Sequence, residues 1–379
     1  MAETASPQKG LEHVVMGDSR ITLVAGETGG LVYRGFDISE LAGRASYEAV
    51  THLLLRGDPP NSEELGVLKA ALRDRRALSP ALERAVEAIP PGLTPLDALR
   101  TLVSAMGDGD FAYPPTVEQG YELIAKAPTL LADAVRRSAG KSPAQPRPDL
   151  GHVENYLYML SGRVPRPAQV RALEAYFVLL ADHGMNASTF ALRVVLSTNA
   201  DLISAATAAL GALKGPLHGG APARVSEMLD AVGKPDAAEG WVEAALVRHE
   251  RLMGFGHRAY KTEDPRAVIL KRIAGEVAKP SRLRLAREVE RVALEALHRT
   301  RPDQRLFTNV EYYGAVVLEA TGLPRELFTP TFALARTAGW TAHALEQAAD
   351  NRLIRPEVRY LGAASGRKWP EGLSPPAER

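Results

Sequence analysis

Two histidines stand in glycine-bracketed segments: His218 in Gly215-Pro216-Leu217-His218-Gly219-Gly220, and His257 in Gly254-Phe255-Gly256-His257-Arg258-Ala259-Tyr260-Lys261. Flanking glycines free the backbone to take positive φ and to approach a ligand closely. An imidazole on such a turn is presented rather than packed, and it can donate, accept or move a proton near neutral pH. Asn309-Val310-Glu311 adds a carboxylate where a helix is predicted to open. Two imidazoles and one carboxylate suit acid–base chemistry. Taken singly, each also has a structural reading: loop histidines held by local hydrogen bonds, and a first-turn glutamate that complements a helix dipole.

The elements that must position these groups read as helices. Ala, Leu, Arg and Glu dominate the composition, and all are strong helix formers. The convincing strand signal lies early, where Arg20–Val24 and Leu31–Arg34 flank a glycine-rich turn from Gly26 to Gly30 and predict a hairpin. Capping signals follow: Ser46, Asn61 with Glu64, Ser79 before Pro80, Thr94 before Pro95, and Asp201 before the apolar Leu202–Leu213. Further helices are predicted from Pro167 to near Gly184, and over Ala223–Ala231, Ala237–Met253, Ala267–Ala274, Ser281–Arg299 and Pro330–Gln347, with a loop over Ala139–Pro148. The pattern predicts an all-α protein with a short N-terminal hairpin. Residues 1–220 plus 323–379 would form a large helical domain, and 221–322 a smaller one inserted in it.

Composition excludes several function classes. The chain has 379 residues, a net charge of +1 with both signs interspersed, and no cysteine. Nucleic acid and anionic membrane are therefore not expected partners, and disulfides, thiol nucleophiles and thiolate metal sites are ruled out. Met1–Gly10 is polar and does not read as a signal peptide, and no apolar run approaches the roughly 18 residues of a membrane span. A cytoplasmic protein without a bound metal is expected. Gly140-Lys141-Ser142 is not a phosphate-binding loop, because Val135 stands where that motif needs glycine. His249-Glu250 is not a zinc motif, since Met253 stands in place of the second histidine.

Five segments remain: Asp182-His183-Gly184-Met185-Asn186-Ala187-Ser188, Gly215–Gly220, Gly254–Arg266, Thr308–Glu311 and Ala335–Trp340. In this order and spacing they resemble citrate synthase, and the likeness runs from Gly30-Leu31-Val32-Tyr33-Arg34-Gly35 to Asn351-Arg352-Leu353-Ile354-Arg355-Pro356. The resemblance implies a helical homodimer with shared active sites and a small domain that closes over oxaloacetate and acetyl-CoA. It assigns His218 to stabilising the enol, His257 to polarising the oxaloacetate carbonyl, and Glu311 to the base. It assigns His183, Arg266 and Arg336 to oxaloacetate, and Arg355 to the partner subunit's site. Gly254, Phe255, Gly256, Arg258, Lys261 and Asn309 would contact coenzyme A, a co-substrate rather than a resident cofactor. The family's base is usually aspartate, so Glu311 points to a subset with glutamate there. The alternatives are a 2-methylcitrate synthase using propionyl-CoA, and a catalytically weak binding or regulatory homologue. Gly219-Gly220 and Gly322 are candidate hinges.

Overall fold

The computed structural model describes residues 9–11, 14–107, 110–219 and 221–363. Gly220 therefore lies outside the described residues, as does most of the polar N-terminal decapeptide. Met1–Asp18 with Ile354–Arg379 forms one compact unit, and Ser19–Leu353 another. In the terminal unit Lys9–Leu11 makes a single 3-10 turn, and Leu11, Val14, Val15, Val358, Tyr360 and Leu361 are exposed.

The larger unit begins with the expected hairpin. Strand β1 (Thr22–Ala25) pairs antiparallel with β2 (Gly30–Tyr33) in a register running from Thr22 opposite Tyr33 to Ala25 opposite Gly30. A two-residue strand β3 (Phe36–Asp37) extends the sheet beside β2, turning at Gly35 with φ 93°. So short a strand carries too few alternating residues to show a period in the sequence.

The rest is helical, and the side-chain caps fall where the sequence places them. Ser46 accepts from Ala49 N, Ser79 from Leu82 N, Thr94 from Asp97 N and Asp201 from Ser204 N. Asn61 and Glu64 close a reciprocal capping box. Each satisfies an N–H that the helix itself leaves without a partner. Two long helices organise the core: Val117–Ser138, which carries Pro128 in its buried interior, and Phe328–Ala349, buried over most of its length.

Two helices stop well short of their predicted ends. The helix expected over Ala237–Met253 spans Ala238–Val247, because the chain reverses at His249, which adopts a left-handed φ of 57°. The helix opening at Pro167 ends at Leu180, before the segment that carries His183.

Candidate active site

His218 follows the helix Leu202–Leu213. The Gly219 N–H reaches back to Leu213 O at 3.0 Å, and the His218 N–H donates to Gly215 O at 2.9 Å. Gly219 is required for closeness: a Cβ there would sit 2.6 Å from Leu213 O and 3.0 Å from Thr329 Cγ2. The His257 segment uses glycine differently. Gly254 and Gly256 have φ of 86° and 79°, in the left-handed region, and a Cβ on Gly254 would lie 2.7 Å from the Tyr312 ring.

The protein's own donors fix the protons on both imidazoles. His257 Nδ1 accepts from the backbone N–H groups of Ala259 at 3.0 Å and Tyr260 at 3.1 Å. Its neutral ring must then carry hydrogen on Nε2. Arg266 Nη2, a pure donor, stands 3.4 Å from that Nε2, so the pair is two donors side by side, set to share an oxygen. His218 has the opposite tautomer. Its Nε2 stands 3.3 Å from the Ser188 backbone N–H, a donor that favours hydrogen on Nδ1, with Ser188 Oγ at 2.9 Å. Trp340 Nε1 donates to the same Ser188 Oγ at 3.3 Å, while Asn186 Oδ1 lies 2.7 Å from it. Burial, aided by the Arg336 charge, lowers the His218 pKa to about 4. Burial with Arg266 does the same for His257, and Asp264 opposes it. Both rings are thus neutral near pH 7.

His183 joins the His257 side. The two rings meet edge-on with centroids 5.3 Å apart, and His183 Nε2 lies 3.2 Å from the Tyr260 hydroxyl. Burial first, then Arg266, pushes the His183 pKa well down. Arg266 makes a two-point ion pair with Asp264, Nε to Oδ1 at 3.0 Å and Nη2 to Oδ2 at 2.9 Å, with both side chains buried. Asp264 also caps the helix Pro265–Val277 and accepts from Val310 N at 3.1 Å. One carboxylate therefore ties the start of the Arg266 helix to the start of the Glu311 helix.

Arg336 is neither a surface nor a salt-bridged arginine, although it lies mid-helix. It is 1% exposed, donates from Nε to Leu180 O at 2.7 Å and covers the Phe332 ring at 4.8 Å. Its Nη1 is buried with no partner among the described residues. A buried donor left unpaired is costly and signals a missing acceptor. Phe332 in turn meets the His218 ring edge-on at 6.2 Å, so Arg336 and His218 contact one aromatic ring.

Glu311 lies in the first turn of the helix Val310–Ala320, capped by Asn309 Oδ1. No described residue hydrogen-bonds its carboxylate. The residue keeps some solvent exposure, but the packing around its carboxyl raises the pKa to about 7; Arg266 and Arg336 pull it down, and Asp264 pushes it up. The acid group thus sits in the field of the same two arginines that act on His183; of these, Arg266 also acts on His257 and Arg336 on His218. It is not a solvated dipole charge.

The segment that carries His257 borders a cavity of about 410 Å³ lined by Arg251, Leu252, Phe255, Gly256, His257, Arg258 and Arg301, among others. Phe255 is buried against Tyr312 at 5.1 Å, and it pairs with Thr308 in an isolated antiparallel bridge. Asn309 is committed on both amide atoms, capping with Oδ1 and donating from Nδ2 to Gly256 O at 2.9 Å. Lys261 is exposed. Arg355 belongs to the terminal unit and is exposed there. Ser188, Tyr260 and Asp264 were not singled out as site residues, though all three stand in the segments the sequence picked out. Among the described residues, no group of three or more His, Cys, Asp or Glu could hold a metal ion.

The family model described as citrate synthase, C-terminal domain, matches residues 10–357. Citrate synthase of Haloferax volcanii is 41% identical, over 94% of this chain and 96% of that protein. 2-Methylcitrate synthase of Mycobacterium tuberculosis is 37% identical, over 94% and 90%. A crystal structure of citrate synthase from Thermoplasma acidophilum, in ternary complex with carboxymethyl coenzyme A and oxaloacetate, superposes with a TM-score of 0.90 at 30% identity. That match covers 97% of this chain and 99% of the other. With sequence, architecture and the gathered histidines, arginines and acid in agreement, the chain belongs to the citrate synthase family.

Proposed function

We propose that the protein condenses acetyl-CoA with oxaloacetate to give citrate and coenzyme A, through enolisation of the thioester and hydrolysis of a citryl thioester. One observation carries this reading. Backbone donors set the two histidines in opposite tautomers, leaving each neutral ring one N–H to give, beside a carboxyl group poised near neutrality.

The thioester methyl is a very weak carbon acid. Glu311 removes its proton only because the Nδ1–H of His218 meets the charge growing on the thioester oxygen. The Nε2–H of His257 and the adjacent Arg266 Nη2 share the ketone oxygen of oxaloacetate and polarise it for attack. Arg336 supplies its unpaired Nη1 to a carboxylate, and His183 lines the same acid. Coenzyme A lies along Gly254–Gly256, with Arg258 and Lys261 near its phosphates, and Asn309 acts on it through the Gly256 carbonyl. Residues 221–322 would close on the remainder and exclude water from the enol. Glu311 puts the chain among members with glutamate as base. The exposed apolar side chains of the terminal unit support a homodimer in which Arg355 serves the partner's site. The absence of cysteine and of any long apolar helix among the described residues supports action in the cytoplasm.

Thiol release on mixing oxaloacetate with acetyl-CoA tests the reading, and the absence of protein cysteine keeps the readout clean. No release above background between about pH 6 and 9, a range that keeps both histidines neutral and carries Glu311 through its ionisation, would overturn it. The 2-methylcitrate synthase relative makes propionyl-CoA the second donor to compare. One methylene is worth roughly 10–200-fold in such a pocket, so the ratio of kcat/KM values assigns the acyl group.

A further inference from the structure

We propose that the β1–β2 hairpin is a positioning strap that holds the His183 turn and the His257 loop in their working relation, with Gly26 as its critical contact. This rests on the functional reading above, which gives those two histidines their work.

The hairpin reaches both. On the His183 side, the Tyr33 hydroxyl is fully buried, donates to Asp182 O at 2.8 Å and accepts from Asp182 N at 3.1 Å. Val24 Cγ2 would stand only 3.6 Å from a Cβ on Gly184. On the His257 side, the Lys261 N–H donates to Gly26 O at 2.9 Å. A Cβ on Gly26 would drive into the Ala259 carbonyl, lying 3.0 Å from its carbon and closer still to its oxygen. One on Gly29 would fall 2.5 Å from Thr262 Oγ1 and 3.1 Å from Glu263 O. The turn of the hairpin thus lies directly on residues 259–263, with no space between.

Ala259 and Tyr260 are also the residues whose N–H groups fix the His257 tautomer. Moving their backbone moves the donors that aim the ring. Gly26 does not need glycine for its own conformation, since its φ lies outside the left-handed region; glycine is there to let another backbone in. Gly35, at the far end of β2, shows the reverse: a left-handed φ of 93° and nothing near enough to clash. The pair separates the strap's contact from the hairpin's mere stability.

The experiment compares Gly26→Ala and Gly35→Ala with the parent by steady-state kinetics and thermal melts. In Gly26→Ala, kcat is expected to fall about tenfold or more, because displacements near an ångström at reacting groups cost on that order, while KM for oxaloacetate stays within about threefold. Gly35→Ala is expected to lose stability and keep kcat within about twofold. A Gly26→Ala kcat within about twofold of the parent, or an equal kcat loss in Gly35→Ala, overturns the proposal. Hydrogen exchange on the parent alone gives an arm that needs neither turnover nor a folded variant. The Lys261 amide is expected to exchange at least about a hundredfold more slowly than in an unstructured peptide; free exchange there overturns the strap. A parent with no thiol release but a protected Lys261 amide refutes the functional reading and leaves the strap contact standing.

Discussion

Replacing Glu311 by glutamine should cost activity and raise stability, and the rise should depend on pH. Burial holds the Glu311 pKa near 7 in the folded protein, against an ordinary value of 4.5. Folding therefore favours the neutral acid. Below about pH 4.5 both states are protonated and the group costs nothing. As pH rises from there to 7, the unfolded chain ionises first, so the folded state loses relative stability until its own carboxyl ionises. Integrating the two titrations gives a penalty of about 1 kcal/mol at pH 5 and roughly 3 kcal/mol at pH 8. Glutamine has nearly the same shape and no charge to bury. Urea melts of the parent and of Glu311→Gln at pH 5 and pH 8 should show a stabilisation that grows by about 2 kcal/mol between them. Turnover should meanwhile drop by about 10²–10⁴, the usual worth of a positioned base. In the parent, kcat/KM should fall close to tenfold per pH unit below about 7, since only the ionised acid removes the proton. A variant that is destabilised at pH 8, or stabilised equally at both pH values, would refute a buried high-pKa acid at this position.

The remaining expectations follow from the same geometry. His218 has its pKa lowered to about 4 in the folded protein, against 6.5 ordinarily. The unfolded chain therefore binds more protons as pH falls through that window, and His218→Gln should spare roughly 2–3 kcal/mol of the parent's loss between pH 7.5 and 4.5; equal acid sensitivity in melts of the two would contradict this. Arg336→Lys forfeits a charge-assisted contact, so calorimetry should show oxaloacetate Kd rising about 10- to 100-fold; a value within threefold removes Arg336 from the carboxylate. Mixing inactive Glu311→Gln and Arg355→Ala proteins through unfolding and refolding should restore about a quarter of parental activity if each site draws Arg355 from the partner; no recovery argues against shared sites.

Much of this molecule is legible in its sequence where the causes are local. Ser46, Asn61, Thr94 and Asp201 announce helix starts because their side chains bond N–H groups two or three residues away. The His218 and His257 turns are visible because glycine marks special backbone. What stayed hidden depends on partners distant in sequence. The Val117–Ser138 helix went unread, although Thr116 and Gln119 cap it, because Pro128 looks like a breaker until the surrounding core is seen to hold it. Arg336 looks like any helical arginine until its burial and its unpaired nitrogen are known. Ser188 offers no sign that it sets the proton on a histidine 30 residues on. The cause of the low His218 pKa, burial beside Arg336, is tertiary as well.

Asn309 has a consequence for the safety of the reaction. Its oxygen begins the Glu311 helix and its nitrogen grips the Gly256 carbonyl, one residue before His257. The proposed base and the imidazole proposed to polarise the carbonyl are therefore tied together, while His218 is held elsewhere by Ser188, which Trp340 in turn bonds. If residues 221–322 swing as an inserted unit, pivoting about the hairpin contact at residues 259–263, an open molecule separates the group proposed to take the methyl proton from the group proposed to receive the resulting charge. Neither half alone can enolise a thioester. Acetyl-CoA arriving without its co-substrate would meet a disassembled catalyst and leave intact.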